Sequence, residues 1–139
     1  MARVSRRAAR KRALDVLYEA DLKERAIPVV LAGHLAGDDP PPDFTLEILR
    51  GVHAHRDEID QLIETNARDW KLARMPVVDR NLLRMAIYEI RHADDVPTAV
   101  AIDEAVELAK ELSTDDSGRF INGLLARVAA PPTPPACVD

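Results

Sequence analysis

Apolar residues recur at helical spacing in the segments that lie between the prolines and glycines of this chain. The last segment is the clearest, because its apolar residues fall at i, i+1, i+4, i+5 and i+8: Phe120, Ile121, Leu124, Leu125 and Val128. No window combines alternating, β-branched character with hairpin turns. The pattern predicts an all-α fold, a single-domain bundle of six or seven helices.

Prolines and capping residues place the element boundaries. The predicted elements are helices over residues 4–24 and 28–35, a long stretch N-capped by Asp43 that bends near His55-Arg56, and a helix with Pro76 in its first turn. Val96-Pro97 ends that last helix, because the residue before a proline disfavours the helical conformation. Residues 1–130 are expected to form one domain, and residues 131–139, with four prolines, a flexible tail.

Charge is distributed unevenly along the chain. The 139 residues carry 19 Lys+Arg against 24 Asp+Glu, a net charge of −5. The first twelve residues nevertheless contain no acid and six basic residues: Arg3, Arg6, Arg7, Arg10, Lys11 and Arg12. The chain is therefore interpreted as an acidic body with a basic arm.

Four of these arginines, Arg3, Arg6, Arg7 and Arg10, follow an i, i+3, i+4, i+7 spacing that gathers them on one helix face. Burying them without partners would be very costly, so the first turns are expected to overhang the core or fray. Tyr18 lies where the face turns apolar, a position suited to a partly exposed ring. Single-stranded RNA is the favoured ligand, because it offers backbone charge and bases that stack. The alternative is a solvated arm without a ligand; DNA is disfavoured because no helix-turn-helix signature is present.

Several other classes of protein are excluded or disfavoured. No apolar run approaches 18 residues, so no membrane span is expected. The single cysteine, Cys137, excludes an intramolecular disulfide and a multi-cysteine zinc module. His53 and His55 diverge on a continuous helix and cannot chelate one ion, so no metal site is expected. No nucleophile lies in a recognisable setting, so we expect no catalytic residue, no cofactor and no enzyme. The Ser5-Arg6-Arg7 start lacks the apolar stretch of an export signal, which favours a cytoplasmic protein.

Four segments together resemble the NusB family. They are the arginine-rich opening Arg6-Arg7-Ala8-Ala9-Arg10 with Leu17-Tyr18, the segment 79–90, the Val96-Pro97 turn with residues 101–110, and the segment 116–125 with its Phe120-Ile121-Asn122-Gly123 motif. The similarity covers residues 3–129 and is poor over residues 25–75. The Val-Pro and Phe-Ile-Asn-Gly segments in combination are specific, whereas the arginine run by itself is not.

The resemblance implies an all-helical fold, no enzymatic activity and a role as an adaptor in transcription antitermination. It implies a complex with NusE, which is ribosomal protein S ten of the small subunit. That complex binds the boxA element of nascent ribosomal RNA and joins RNA polymerase with other Nus factors. The implied RNA-binding residues are Arg6, Arg7, Arg10 and Tyr18, with Asp116, Ser117, Arg119 and Asn122 at the start of the last helix as second candidates. The spacing of the arm adds Arg3 to these RNA-binding candidates. The implied NusE-facing residues are Asp79 and, near it, Tyr18.

Two other functions and one oligomeric state stay open at this point. A protein-interaction module would use the arm only for solubility. A NusB-like accessory domain of an RNA-modifying methyltransferase would need a separate cofactor-binding domain, for which 139 residues leave no room. A homodimer is possible, because an apolar face could meet either a second copy or NusE.

Overall fold

The structure, a computed structural model, describes residues 5–67 and 70–130, and these contain seven α-helices, a 3-10 turn at Leu72–Arg74 and no strand. The helices are α1 (Arg6–Leu22), α2 (Ile27–Leu35), α3 (Asp43–Ala54), α4 (Arg56–Asn66), α5 (Val77–His92), α6 (Thr98–Leu112) and α7 (Asp115–Ala129). The prediction of an all-α bundle with six or seven helices is confirmed. Arg3 and the proline-rich segment 131–139 lie outside the described residues.

Helix α5 occupies the centre of the bundle. Every residue from 81 to 89 is buried, and α5 contacts α1, α3, α4, α6 and α7. A helix that is buried around its whole circumference must be covered on all sides by neighbours. Helix α5 therefore sets the relative positions of the helices that carry the candidate site.

The apolar stripe of α7 packs as its spacing predicts. Ile121, Leu124, Leu125 and Val128 are buried in the common core. Phe120 is partly buried, and its ring meets Trp70 edge to face, with the ring centroids 5.0 Å apart. The start of α7 is thereby held on α5 and α6 while its opposite face stays exposed.

Two helix starts differ from prediction by one position. Pro42 and Pro76 are themselves the N-cap residues of α3 and α5, with extended ψ angles of 159° and 141°. The predictions that Asp43 is the cap and that Pro76 lies inside the first turn are therefore wrong. A proline suits the cap because its φ is fixed and it has no N–H to leave unsatisfied. Asp43 lies in the first turn instead, where its charge favours the helix dipole.

The bend predicted near residues 55–56 is a complete break between two helices. His55 has φ −112° and ψ 20°, and it separates α3 from α4. The break changes the direction of the chain and brings the start of α4 against α5. Residues of α4 and of the last turn of α5 therefore come close together.

Candidate nucleic-acid interface

Helix α1 begins at Arg6, and the residue before it forms the cap. Ser5 caps it, because the Ser5 Oγ accepts a hydrogen bond of 3.1 Å from the backbone N of Ala8. The helix then continues without interruption to Leu22. Residues 5–8 are all exposed, so the first turn overhangs the core as predicted, whereas Ala9 and Arg10 in the second turn are buried. The alternative that the first turns fray is wrong for the described residues, which begin at residue 5.

The basic side chains of α1 face acidic residues on other elements. Arg6 Nη2 donates to Asp95 Oδ2 at 2.6 Å, and Arg7 Nε donates to Glu104 Oε2 at 2.9 Å. Two further pairs extend this pattern: Lys11 with Glu111, and Arg12 with Asp39. The basic arm is therefore matched by carboxylates of the same chain.

Arg10 differs from its neighbours because it is buried, with only 3% of the residue exposed. Its Nη2 donates to Glu89 Oε1 at 2.7 Å, and its Nε lies 2.9 and 3.1 Å from the two Glu89 oxygens. The prediction that Arg10 projects outward with the other arginines is therefore wrong. Glu89 supplies the forked partner that makes burial of a guanidinium possible. Burial raises the pKa of Glu89, and the hydrogen bond from Arg10 opposes that rise.

Helix α3 also fixes the first turns of α1. The guanidinium carbon of Arg6 lies 4.4 Å from the centre of the Phe44 ring, and that of Arg10 lies 5.2 Å away. Thr45 Oγ1 donates a hydrogen bond of 2.7 Å to the backbone oxygen of Ala9. These contacts hold the cationic turns in a defined place on the surface.

Arg6 and Arg7 remain accessible despite their pairing. Their side chains are 48% and 58% exposed, whereas that of Arg10 is only 3% exposed. Exposed ion pairs contribute only about 0–1 kcal/mol, so an external phosphate can replace the internal carboxylate. The hydrogen bonds from Arg6 and Arg7 lower the pKa of Asp95 and of Glu104. Both acids are therefore ionised at neutral pH and compete with any anion that approaches.

The exposed face of α1 becomes apolar towards its C-terminal half. Tyr18 is 39% exposed, and Leu22, one turn further along, is also exposed. Tyr18 thus has the partly exposed ring that its boundary position predicts. An exposed tyrosine followed by an exposed leucine at i+4 forms a small apolar surface suited to a protein contact.

Helix α6 runs in the same direction as α1. The Arg7–Glu104 and Lys11–Glu111 pairs show this, because residue numbers increase together along both helices. The end of α6 therefore lies at the level of Lys11, in the first half of α1.

The start of α7 presents three of its four candidate residues. Asp116, Arg119 and Asn122 are exposed, and Arg119 pairs with Asp116 one turn away. Thr114 is the N-cap, because its Oγ1 accepts a hydrogen bond of 3.0 Å from the backbone N of Ser117. An anion could therefore meet Arg119 and Asn122, but only after Arg119 leaves Asp116.

Ser117 and Asp79 form a buried contact between α7 and α5. Ser117 Oγ donates to Asp79 Oδ2 at 2.7 Å, and Asp79 is 0% exposed. The expectation that Asp79 falls on the NusE-facing surface is therefore wrong, and Ser117 is not open to solvent either. The hydroxyl satisfies one carboxylate oxygen, Oδ2, while the buried Oδ1 has no hydrogen-bond partner among the described residues; the bond fixes the start of α7 on α5.

A second group of charged residues, which sequence reasoning missed, ties the end of α1 to α5. Asp21 accepts hydrogen bonds from Arg80 at 2.5 and 2.7 Å, from Asn81 at 2.8 Å and from Arg84 at 3.0 Å. Arg84 also donates to Asp60 of α4 at 2.8 Å. Arg80 and Arg84, four residues apart on a largely apolar helix, were the available signal for this network.

Among the helices that the structure describes, none is both long enough and apolar enough to cross a membrane.

Between residues 7 and 130, the chain matches the model of the NusB family. The chain belongs to the NusB family. The resemblance read from the motifs is therefore confirmed, and the NusB relatives extend it. Transcription antitermination protein NusB of Saccharopolyspora erythraea is 54% identical over 128 residues, which cover 90% of this chain and 86% of the relative.

Solved NusB structures share the fold. NusB of T. maritima superposes with a TM-score of 0.81 at 32% identity, and the alignment covers 92% of each chain. A structure of antitermination factors NusB and NusE in complex with dsRNA gives a TM-score of 0.74 at 24% identity, covering 89% of this chain and 95% of that one. The seven-helix bundle is thus the NusB fold.

Proposed function

We propose that this chain is a transcription antitermination adaptor without catalytic activity. It binds boxA-type single-stranded RNA of nascent ribosomal RNA together with NusE, and it links that RNA to RNA polymerase and other Nus factors. The observation that carries the proposal is the accessible pair Arg6 and Arg7, held in place on the first turns of α1. NusB relatives named as transcription antitermination proteins support the same role.

In this proposal RNA phosphates replace the carboxylates that face the arm. The guanidinium groups of Arg6 and Arg7 offer forked donors that match phosphate oxygens. Lys11 and Arg12 extend the cationic row, and Arg3 precedes it in the sequence. These contacts supply affinity and position, and base contacts supply sequence discrimination.

Two of the candidate residues take a different part in this proposal. Arg10 acts as a positioning residue, because its fork is committed to Glu89 and holds α1 on α5. Ser117 positions the start of α7 through Asp79, while Asp116, Arg119 and Asn122 stay exposed as second RNA candidates.

NusE is proposed to contact the apolar half of α1 through Tyr18 and Leu22. Asp79 supports that end of the bundle from inside, because it holds the start of α7 on the start of α5, where Arg80 pairs with Asp21 of α1. One solved assembly of this fold contains NusB, NusE and RNA together, which supports the proposal that both partners bind at the same time. The RNA in that assembly is double-stranded, so the strand preference of this chain needs its own measurement.

The deciding experiment is RNA binding with and without NusE over a range of salt concentrations. Single-stranded boxA-like RNA and a duplex of the same sequence are compared. The Arg6→Ala/Arg7→Ala variant should lose affinity, and its log–log salt slope should be shallower by about 1.4, because each phosphate contact on a single strand contributes about 0.7. Arg50→Ala/Arg74→Ala removes the same charge from other exposed positions and should behave like the wild type. An unchanged slope in the arm variant would remove the arm from the mechanism.

A protein-interaction module without intrinsic RNA binding is the second candidate. The pairing of Arg6 with Asp95 and of Arg7 with Glu104 favours it, because matched charges attract polyanions weakly. Recovery of NusE with no RNA binding, whether or not NusE is present, would support this candidate. A methyltransferase accessory role is less well supported, because NusB relatives match over 86–95% of their own length and are named as antitermination proteins.

A further inference from the structure

Three metal-ligating side chains meet where α3 ends, α4 begins and α5 ends. His55 lies at the helix break, Glu58 lies in the first turn of α4, and His92 is the last residue of α5. Their donor atoms all lie within 4.8 Å of one another. We propose that His55, Glu58 and His92 form a binding site for a first-row divalent transition-metal ion, best suited to Zn²⁺.

The separations of the donor atoms fit a metal site better than a hydrogen-bonded cluster. Glu58 Oε2 lies 3.4 Å from His92 Nε2 and 3.6 Å from His55 Nδ1. Hydrogen bonds between nitrogen and oxygen span about 2.7–3.2 Å. Ligand atoms on a tetrahedral zinc ion, each about 2.0–2.1 Å from the metal, are roughly 3.4 Å apart. The two measured separations match that edge length.

The donors are also largely uncommitted to other groups. His92 Nε2 is inaccessible to solvent and makes no hydrogen bond. Arg56, the nearest cation in sequence to Glu58, donates instead to Asp60 at 3.0 Å. Among the described residues, no lysine or arginine nitrogen lies within 4 Å of the Glu58 carboxylate. A buried ring nitrogen without a partner costs free energy, and a bound cation would remove that cost.

One of the two rings is fixed and the other is freer to adjust. The His55 and His92 rings stack, with centroids 3.6 Å apart and planes 9° from parallel. Tyr88 stacks on His92 at 6.2 Å and packs tightly over Gly51, which holds the His92 side. His55 lies at the helix break and is more exposed. Rotation of the His55 ring therefore turns its in-plane lone pair towards an ion held by His92 and Glu58.

The site leaves room for a fourth ligand. His55 and Glu58, but not His92, line an open cavity of about 450 Å³ beside α4, together with His53 and Asp57. Three protein ligands with one open position fit a tetrahedral ion that also binds a water. Two neutral imidazoles and one carboxylate are a borderline donor set that suits zinc rather than Mg²⁺ or Ca²⁺. The bound ion would tie the junction of α3 and α4 to the end of α5.

The test is metal binding by the full chain, free of any affinity tag and carrying Cys137→Ser so that the one thiol does not contribute. After removal of metal with a chelator, the protein is titrated with Zn²⁺ by calorimetry and with Co²⁺ by visible absorption. We expect one ion per chain and an absorption spectrum typical of tetrahedral Co²⁺. A chain that binds the ion only when folded should also show a melting temperature that rises with Zn²⁺ concentration.

Ligand variants and one matched control decide the outcome. His55→Gln, Glu58→Gln and His92→Gln should each weaken Zn²⁺ binding by at least about tenfold. His34→Gln removes a histidine of α2 that contacts Glu19 and does not line this cavity, and it should leave binding unchanged. Glu58 is half exposed, so its variant keeps the test valid if a histidine variant shows reduced helicity by circular dichroism.

Equal Zn²⁺ affinity in the wild type and in Glu58→Gln would overturn the proposal, as would a loss of binding in His34→Gln as large as in His55→Gln. The titrations contain neither RNA nor NusE. Failure of the metal site would therefore leave the proposed adaptor function untouched.

Discussion

The guanidinium of Arg10 and the carboxylate of Glu89 form a forked ion pair in which the two side chains are 3% and 1% exposed. The pair joins the second turn of α1 to the last turns of α5. Two charges removed from water in this way depend on each other, because either one by itself would be buried without compensation. The position of the accessible arginines, Arg6 and Arg7, depends on this buried contact.

Removal of one member of the pair should therefore destabilise the fold strongly. Glu89→Gln leaves the Arg10 charge buried, and we expect the free energy of unfolding to fall by about 3–5 kcal/mol. Arg10→Met/Glu89→Leu removes both charges and should cost far less. Denaturant unfolding measures both effects. Arg119→Ala breaks an exposed pair and serves as the control, and we expect its free energy of unfolding to match that of the wild type. A small loss in Glu89→Gln would contradict the interpretation.

The same double variant separates positioning from RNA contact. If Arg10 acts only by holding α1, Arg10→Met/Glu89→Leu should keep wild-type RNA affinity and salt slope, because the new side chains pack in the same place. Arg6→Ala/Arg7→Ala should lose both affinity and slope. Fluorescence anisotropy with a labelled boxA-like RNA distinguishes the two. A loss of salt slope in the double variant would assign a phosphate contact to Arg10.

Removal of the competing carboxylates should strengthen RNA binding. In Asp95→Asn/Glu104→Gln, the guanidinium groups of Arg6 and Arg7 no longer need to leave an internal partner. We expect RNA affinity to rise about three- to tenfold at low salt, since binding no longer has to break these weak exposed pairs. Asp57→Asn/Glu64→Gln makes the same change in net charge at exposed positions of α4. An equal gain in both variants would point to net charge and not to the pairs.

The Asp21 network predicts a specific dependence of stability on pH. Burial opposes the ionisation of Asp21, but hydrogen bonds from Arg80 and Asn81 outweigh it and hold the pKa of Asp21 below its ordinary value. The stabilisation is therefore fully present above the unfolded-state pKa and is lost as pH falls through the lower, folded-state pKa. Below about pH 4, the free energy of unfolding should fall less steeply in Asp21→Asn than in the wild type. Identical slopes would show that Asp21 does not contribute to acid unfolding.

Two glycines in helices should respond to alanine in opposite directions. A Cβ added at Gly51 would lie 1.9 Å from Tyr88 Cε1, so Gly51→Ala must displace a packed ring and should cost about 1–3 kcal/mol. A Cβ at Gly33 meets nothing within 4 Å, and Gly33→Ala should stabilise α2 by roughly 0.5–1 kcal/mol. Thermal unfolding of both variants provides the comparison.

Sequence reasoning located the helices well, and it misplaced individual charges. The stripe of α7 was readable because its period is local, and the break at His55 was readable because the stripe is interrupted there. Arg10 and Asp79 were expected at the surface because charged residues are usually exposed. Their partners, Glu89 and Ser117, lie 79 and 38 residues away, and no local pattern connects such distant positions. The one visible hint was a lone acid, Glu89, inside an otherwise apolar run.

The proximity of His55, Glu58 and His92 could not be predicted from the sequence for a related reason. His53 and His55 were compared with each other because they are close in sequence, and their divergence on a helix argued against a shared ion. The ring that comes close to His55 belongs to His92, on another helix. Only the change of chain direction between α3 and α4 makes that meeting possible.

Helix α1 is fastened to α5 near both of its ends, by Arg10 with Glu89 and by Asp21 with Arg80. A helix held at two points keeps its length and position. The rise of the helix therefore fixes the axial distance between Arg6 and Tyr18 at about 18 Å. In the proposed complex, RNA binds near Arg6 and NusE binds near Tyr18. The rigid helix therefore fixes the distance between the two bound partners, and neither partner can change it.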